Sequence, residues 1–206
     1  MQWSCEEADF SPQTSVSWNN YCREVCIDSI MTNNKKIGGK GKVVEIDESK
    51  FGKVKHHRGH FVKGQWVFGG VCRETGESFL VPVPNRSRET LLPIIKQWIL
   101  PGTTIYSDGW MVYRSLYEEG YKHKWVNHKL HFKDPETGVH TNQIEGVWRH
   151  AKVKLPQYNR RNKYFLGYLA KFMFISRCRQ NNLDPFVEFF KAAGKLYNAI
   201  DIPIDS

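Results

Sequence analysis

Val43-Val44-Glu45-Ile46-Asp47 reads as a short β-strand ending on a carboxylate, and the body of the chain is laid out from it. Its period-two pattern turns Val44 and Ile46 inward and Glu45 and Asp47 outward. Residues 48–65 follow as a basic loop or hairpin tip. Trp66–Arg73 and Ser78–Val83 are apolar runs joined by Glu74-Thr75-Gly76-Glu77, a tight-turn signal. Three consecutive antiparallel strands are therefore predicted.

From Asn85 to Leu100 the spacing becomes helical, with Leu91, Ile94, Ile95, Trp98 and Ile99 on one stripe. Pro93 fits only if the helix starts near Thr90, and Pro101-Gly102 ends it. Thr103–Ser107 is a fourth strand leading into Asp108. Gly109–Glu119 reads as helical, and Tyr121–Asn127 as a fifth, polar strand. Asn142 to Leu155 is helical, with Ile144, Val147, Trp148 and Ala151 as its stripe. Two more helices follow at 163–180 and 185–198, the second with Asp184 as N-cap and Pro185 at its first position. A meander feeding right-handed strand–helix–strand crossovers gives an α/β protein: a mixed five-stranded sheet flanked by helices, in the strand–helix order of the ribonuclease H fold.

Upstream, Ser15 or Ser17 caps a helix through Trp18, Tyr21, Cys22, Val25, Cys26 and Ile30, and the polar, glycine-rich Thr32–Gly41 reads as a linker. The expected division is 1–42 as a short N-terminal helical extension and linker, 43–192 as the body, and 193–206 as a tail. No apolar run is long enough to span a membrane, and the first residues lack the basic start and apolar core of a signal peptide. An intracellular protein is expected. Five scattered cysteines without a CxxC pair read as free thiols. The 206 residues carry 30 Lys+Arg against 21 Asp+Glu, a net charge of +9, so a polyanion is the expected partner, nucleic acid before a membrane surface.

Three acids stand out by position. Asp47 ends the first strand, Asp108 ends the fourth, which should run parallel beside the first, and Glu145 lies in the first turn of a helix. Gathered carboxylates repel, and a divalent cation such as Mg²⁺ or Mn²⁺ offsets that repulsion. Singly, each has an ordinary reading as a turn former, an N-cap or a first-turn dipole partner. Glu48 is the alternative to Asp47.

The motifs VVEIDESKFG (43–52), QWVFGGVCR (65–73), YSDGW (106–110) and HTNQIEGVWRHAK (140–152) resemble the catalytic core of Merlin-type DDE transposases, the ISXO2-like transposase domain, and its bacterial insertion-sequence relatives. The match runs from about Val43 to Phe190. The resemblance implies a ribonuclease H-like fold and Asp47, Asp108 and Glu145 as a catalytic triad holding two Mg²⁺ or Mn²⁺ ions. It also implies a basic residue seven positions after the glutamate, here Lys152, on the same helical face. Asn142 either assists with substrate or caps its helix. The implied activity is DNA strand cleavage and strand transfer on transposon ends and target, by a homo-oligomer, in the nucleus if the host is eukaryotic. Longer members of the family carry an N-terminal zinc and helix-turn-helix region. SVSWNNYCREVC (15–26) resembles the end of its last helix. Two other readings are a catalytically silent, transposase-derived DNA-binding protein and a ribonuclease H-like nuclease.

Two basic runs suit DNA phosphates. One is the 50–63 loop, with Lys53, Lys55, His56, His57 and Arg58; the other holds Lys152, Lys154, Arg160 and Arg161. Trp66, Trp98 and Trp148 are expected to fill the core.

Overall fold

The computed structural model describes residues 11–33, 35–52, 64–126, 134–135, 138–155 and 164–198. In chain order the elements are α1 (Pro12–Thr32), β1 (Ile37–Gly38), β2 (Val43–Phe51), β3 (Gln65–Cys72), β4 (Ser78–Val83), α2 (Arg88–Trp98), β5 (Ile99–Leu100), β6 (Thr104–Asp108), a 3-10 helix at Met111–Tyr117, β7 (Lys122–Val126), α3 (Asn142–Lys154), α4 (Phe165–Gln180) and α5 (Pro185–Leu196). Residues 34–169 make one compact unit, and the described parts of 1–33 and 170–206 make the other.

In the larger unit five strands pair in the order β4-β3-β2-β6-β7. β2, β3 and β4 are antiparallel neighbours, and β6 and β7 run parallel to β2. This is the mixed sheet of the ribonuclease H-like fold, with β2 at its centre. The physical cause is the pattern of β2: Val44, Ile46 and Phe51 are buried, so the strand is fixed from both faces. On one face Phe68 packs on Phe79, which stacks on Trp98 of α2 with ring centroids 5.3 Å apart. On the other face Phe51 meets Trp148 of α3 and Phe165 edge to face.

The structure moves several boundaries. β2 does not stop at Asp47 but runs on to Phe51, because Ser49, Lys50 and Phe51 continue the ladder opposite Val67, Trp66 and Gln65. The expected linker contains β1, which pairs parallel with β5, so Ile99 and Leu100 leave the helix and form a strand. The segment after Asp108 is a 3-10 helix rather than an α-helix. In the smaller unit α1 starts at Pro12 instead of after Ser15 or Ser17. The Ser11 hydroxyl accepts from the Thr14 N–H at 3.1 Å, and proline sits in the first turn. There α5 begins on the expected Asp184 cap and lies against α1, with Tyr197 donating to Glu24 at 2.9 Å. Cys22, Cys26, Cys72 and Cys178 are free thiols, and burial pushes Cys26 up to about 11.

Gly69 lies opposite Asp47 in the β2–β3 ladder. A Cβ there would stand 2.7 Å from both Leu80 Cδ2 and Trp148 Cη2 and 2.9 Å from the Phe79 carbonyl oxygen, so the absent side chain is what lets α3 settle on the sheet. Gly69→Ala is expected to destabilise the fold by about 1–3 kcal/mol through overpacking. Urea denaturation measures this, and an unchanged midpoint contradicts the packing argument.

Candidate active site

The site begins with a carboxylate in the sheet. Glu45 is completely buried, against the outward placement that strand alternation suggested, and both of its oxygens are engaged. Its Oε1 accepts from Arg73 Nε at 2.6 Å. Its Oε2 accepts from the backbone N–H groups of Gln143 at 2.9 Å and Ile144 at 3.1 Å. These are first-turn donors of α3, which a helix cannot satisfy internally, and the N-cap Thr141 makes no side-chain capping bond. A carboxylate nearly a hundred residues upstream therefore caps α3, and its charge suits the positive end of the helix dipole. Arg73 completes the clamp. Its Nη2 donates to the His140 carbonyl at 2.9 Å and reaches His140 Nδ1 at 2.8 Å, and its Cζ lies 4.7 Å from the Tyr106 ring centroid.

Docked in this way, α3 lies on β2 and β3. Asp47 and Asp108 each lie two residues beyond the paired Glu45 and Tyr106 of these parallel strands, and so on the face that carries Glu45. Trp148 Nε1 donates to Asp47 Oδ2 at 2.9 Å, and the Trp110 N–H donates to Asp108 Oδ1 at 3.2 Å. Burial pushes Asp47 up to about 6; the charges of Asp108 and Glu145 add to that, and the Trp148 bond opposes it. Glu48, one residue on, belongs to the opposite face. Burial and the charges of Asp47 and Asp108 push it up to about 8 against the opposing Arg86, and its Oε1 is buried with no hydrogen-bond partner among the described residues. Also among the described residues, none of Asp47, Glu48, Asp108 and Glu145 is in a salt bridge.

This donor set has the chemistry of a hard divalent-cation site: carboxylate oxygens, uncompensated charge and an orphaned buried oxygen. The described residues hold no group of three His, Cys, Asp or Glu side chains placed to grip one ion together. The fit therefore lies in the donor types and the electrostatics.

Against this geometry, the ISXO2-like transposase domain model matches residues 35–176, well over half of the chain. The chain belongs to that transposase family. A Haemophilus influenzae protein described as an uncharacterized transposase-like protein is 35% identical over 81 residues, 39% of this chain and 64% of the relative, so less than two thirds of that relative is spanned. Among solved structures, the catalytic core domain of BIV integrase is similar with a TM-score of 0.45 at 12% identity, covering 75% of this chain and 97% of that one. The HTLV-2 integrase catalytic core domain in complex with magnesium is similar with a TM-score of 0.36 at 14% identity, covering 76% of this chain and 86% of that one.

In this ISXO2-like transposase domain the other expected site residues are placed unequally. Lys152 is exposed two turns along α3 from Glu145, its Nζ 5.3 Å from the Phe51 ring centroid. Lys154 is exposed at the end of α3. Asn142 is exposed at the first position of α3, where Glu45 takes over the capping expected of it. Lys53, Lys55, His56, His57, Arg58, Arg160 and Arg161 lie outside the described residues. Trp148 is buried as expected but also holds Asp47, while Trp66 is only half-buried, against the expected core role, and Arg86 lies across its ring. The roles of Glu45, Arg73 and Trp148 were missed. The available signal was an acid amid Val44 and Ile46, with an arginine just past the end of the neighbouring strand.

Two expectations follow. Arg73→Met strips a fully buried carboxylate of its cation and is expected to cost about 3–5 kcal/mol of stability, read by chemical denaturation; a loss within error of zero contradicts the clamp. Asp47 and Glu48 have folded-state values above their unfolded ones, so their contribution is fully present below about pH 4 and is lost as pH rises through about 6 and then 8. In EDTA, the domain is expected to lose stability between pH 5 and pH 8, and Glu48→Gln to flatten the upper part of that decline. Identical pH slopes for the two proteins contradict the burial of that charge.

Proposed function

We propose that this domain is a DDE-type transposase core, with residues 43–192 as the catalytic body, that cuts and joins DNA with a divalent metal, Mg²⁺ or Mn²⁺ and two ions per site. The observation that carries this reading is that Asp47 and Asp108 end neighbouring parallel strands on one sheet face, where burial, with the charges of Asp108 and Glu145 added, pushes Asp47 up, and no cation is paired to any of the three among the described residues. In this reading Asp47, Asp108 and Glu145 are the ligands. Bound metal supplies activation of the attacking oxygen and stabilisation of the leaving oxygen of a phosphodiester. The chain's own residues do the rest. Glu45 and Arg73 seat α3 so that Glu145 faces Asp47, and Trp148 fixes the rotamer of Asp47. Lys152 and Lys154 on α3 contact a backbone phosphate, as do Lys53, Lys55, His56, His57, Arg58, Arg160 and Arg161. The reaction is hydrolysis of one strand at an element end, followed by in-line attack of the freed 3′-hydroxyl on a target phosphodiester. Pairing two ends implies a homo-oligomer during catalysis.

A second reading, a DNA-binding protein without cleavage, is favoured by one observation: no three acidic or histidine side chains among the described residues stand together around a single ion position. One experiment separates the two. Element-end DNA is incubated with the protein in Mg²⁺, Mn²⁺ or EDTA, and binding and nicking are followed together. The transposase reading expects nicking in Mg²⁺ or Mn²⁺ that Asp108→Asn reduces to the EDTA background, while salt-dependent binding persists in the variant. Binding unaffected by metal, with equal absence of nicking in both proteins, selects the second reading.

A further inference from the structure

Lys50 and Trp66 are paired positions on the sheet face that carries Glu48, away from α3. Arg86 lies there between two indoles, its Cζ 4.0 Å from the Trp66 ring centroid and 4.6 Å from that of Trp110. Lys50 Nζ is 5.5 Å from the Trp66 ring centroid. Trp66, Arg86 and Trp110 are half-buried and Lys50 is exposed, so solvent reaches the cluster. Among the described residues neither cation forms a salt bridge, and the Arg86 guanidinium donates no hydrogen bond. The cluster adjoins the carboxylates. Trp110 follows Asp108 by two residues and its N–H donates to Asp108 Oδ1 at 3.2 Å. Trp125, 55% exposed, lies against the intervening Gly109, where a Cβ would stand 2.9 Å from its ring.

The chemistry of this cluster is specific. Stacking holds the guanidinium flat and leaves its planar fork of N–H donors unused, and that fork matches a phosphate bidentately. Lys50 adds a second cation to the same place. Indole surface that is neither wholly buried nor in a core accepts the face of a base, whatever its sequence. A duplex offers no free base faces along its length, so a site of this kind is of use only to a nucleotide taken out of the stack. The buried, unpartnered Oε1 of Glu48, whose charge interacts with Arg86, adds an acceptor beside it.

We infer that Trp66, Arg86, Trp110 and Lys50 form a receptor for one unstacked nucleotide of DNA, its phosphate on Arg86 and Lys50 and its base against the indoles. This rests on the DNA-acting reading above and adds to it a place where an end is held open next to Asp108.

The test uses the full chain in EDTA, so that binding is read without chemistry. Fluorescence anisotropy compares a fully paired duplex with the same duplex carrying mismatched terminal pairs, and 2-aminopurine in the unpaired position reports stacking. The wild type is expected to bind the frayed duplex about tenfold more tightly than the paired one and to quench the probe. Arg86→Gln and Trp110→Ala are expected to abolish that preference and leave paired-duplex affinity within about twofold. Trp110→Phe retains most of it. Because Arg86 makes no hydrogen bond or ion pair among the described residues, Arg86→Gln decides the matter even where Trp110→Ala fails to fold, as judged by circular dichroism. Wild type that binds both duplexes equally, or an Arg86→Gln protein that keeps the full preference, overturns the receptor and leaves the DNA reading standing. Wild type that binds neither duplex overturns the DNA reading itself.

Discussion

The buried carboxylate of Glu45 is the constraint on which the rest of the site depends. One oxygen holds Arg73 and the other holds the start of α3, so the central strand, the end of β3 and the helix that carries Glu145 are tied at a single residue. A carboxylate in that position is tolerable because each of its hydrogen-bond partners is a donor: a guanidinium and two backbone N–H groups. The same geometry explains why α3 lacks a side-chain cap of its own. A local cap would satisfy the helix end wherever the helix lay, whereas a cap drawn from β2 satisfies it only in one place. The hydrogen bond from Trp148 to Asp47 is a consequence.

Much of the fold was legible because its signals are local. Alternation in β2, the turn at Glu74–Glu77, the switch to helical spacing after Asn85 and the Asp184-Pro185 start are all properties of a few adjacent residues, and they give the right elements in the right order. Asp47 and Asp108 were legible as neighbours because a right-handed crossover puts β2 and β6 side by side. What escaped depends on partners far apart in sequence. Glu45 looked like an outward position because alternation alone cannot tell a solvated face from one covered by a helix. Asn142 looked like a cap because nothing near it announces that a distant acid does the work. The true end of β2 was hidden because Lys50 is an unremarkable strand residue until the β3 ladder opposite it is known. The two-residue β1 and β5 have no period to detect.

Asp47 and Glu48 are adjacent in sequence yet serve different faces. Asp47 looks toward α3 and is held by an indole N–H. Glu48 belongs with Lys50, Trp66 and Arg86. Strand geometry makes this split unavoidable, and it divides the site between two surfaces: an acidic one under α3 and a cationic, aromatic one on the reverse side, joined around the end of β6 through Trp110. In the two proposals above, one phosphodiester chain uses both surfaces, its phosphate oxygens at metal or guanidinium and its bases at the indoles.

The distribution of ion pairs argues that the acidic surface is selected and not incidental. With 30 Lys+Arg against 21 Asp+Glu, cations are in excess and could neutralise any buried acid. Glu45 receives one. Asp47 and Glu48, also largely withdrawn from water, have none within ion-pair distance among the described residues, and repulsion from their neighbours is added to the cost of burial. A sequence shaped by stability alone would place a lysine or arginine there, or replace the acids with amides at no loss of shape. Leaving them unpaired makes their ionisation lower the stability of the metal-free fold, and in the proposed metal-dependent reading a cation supplied from outside the chain offsets that cost. In the transposase reading proposed above, the excess positive charge is used at DNA phosphates and not at these carboxylates.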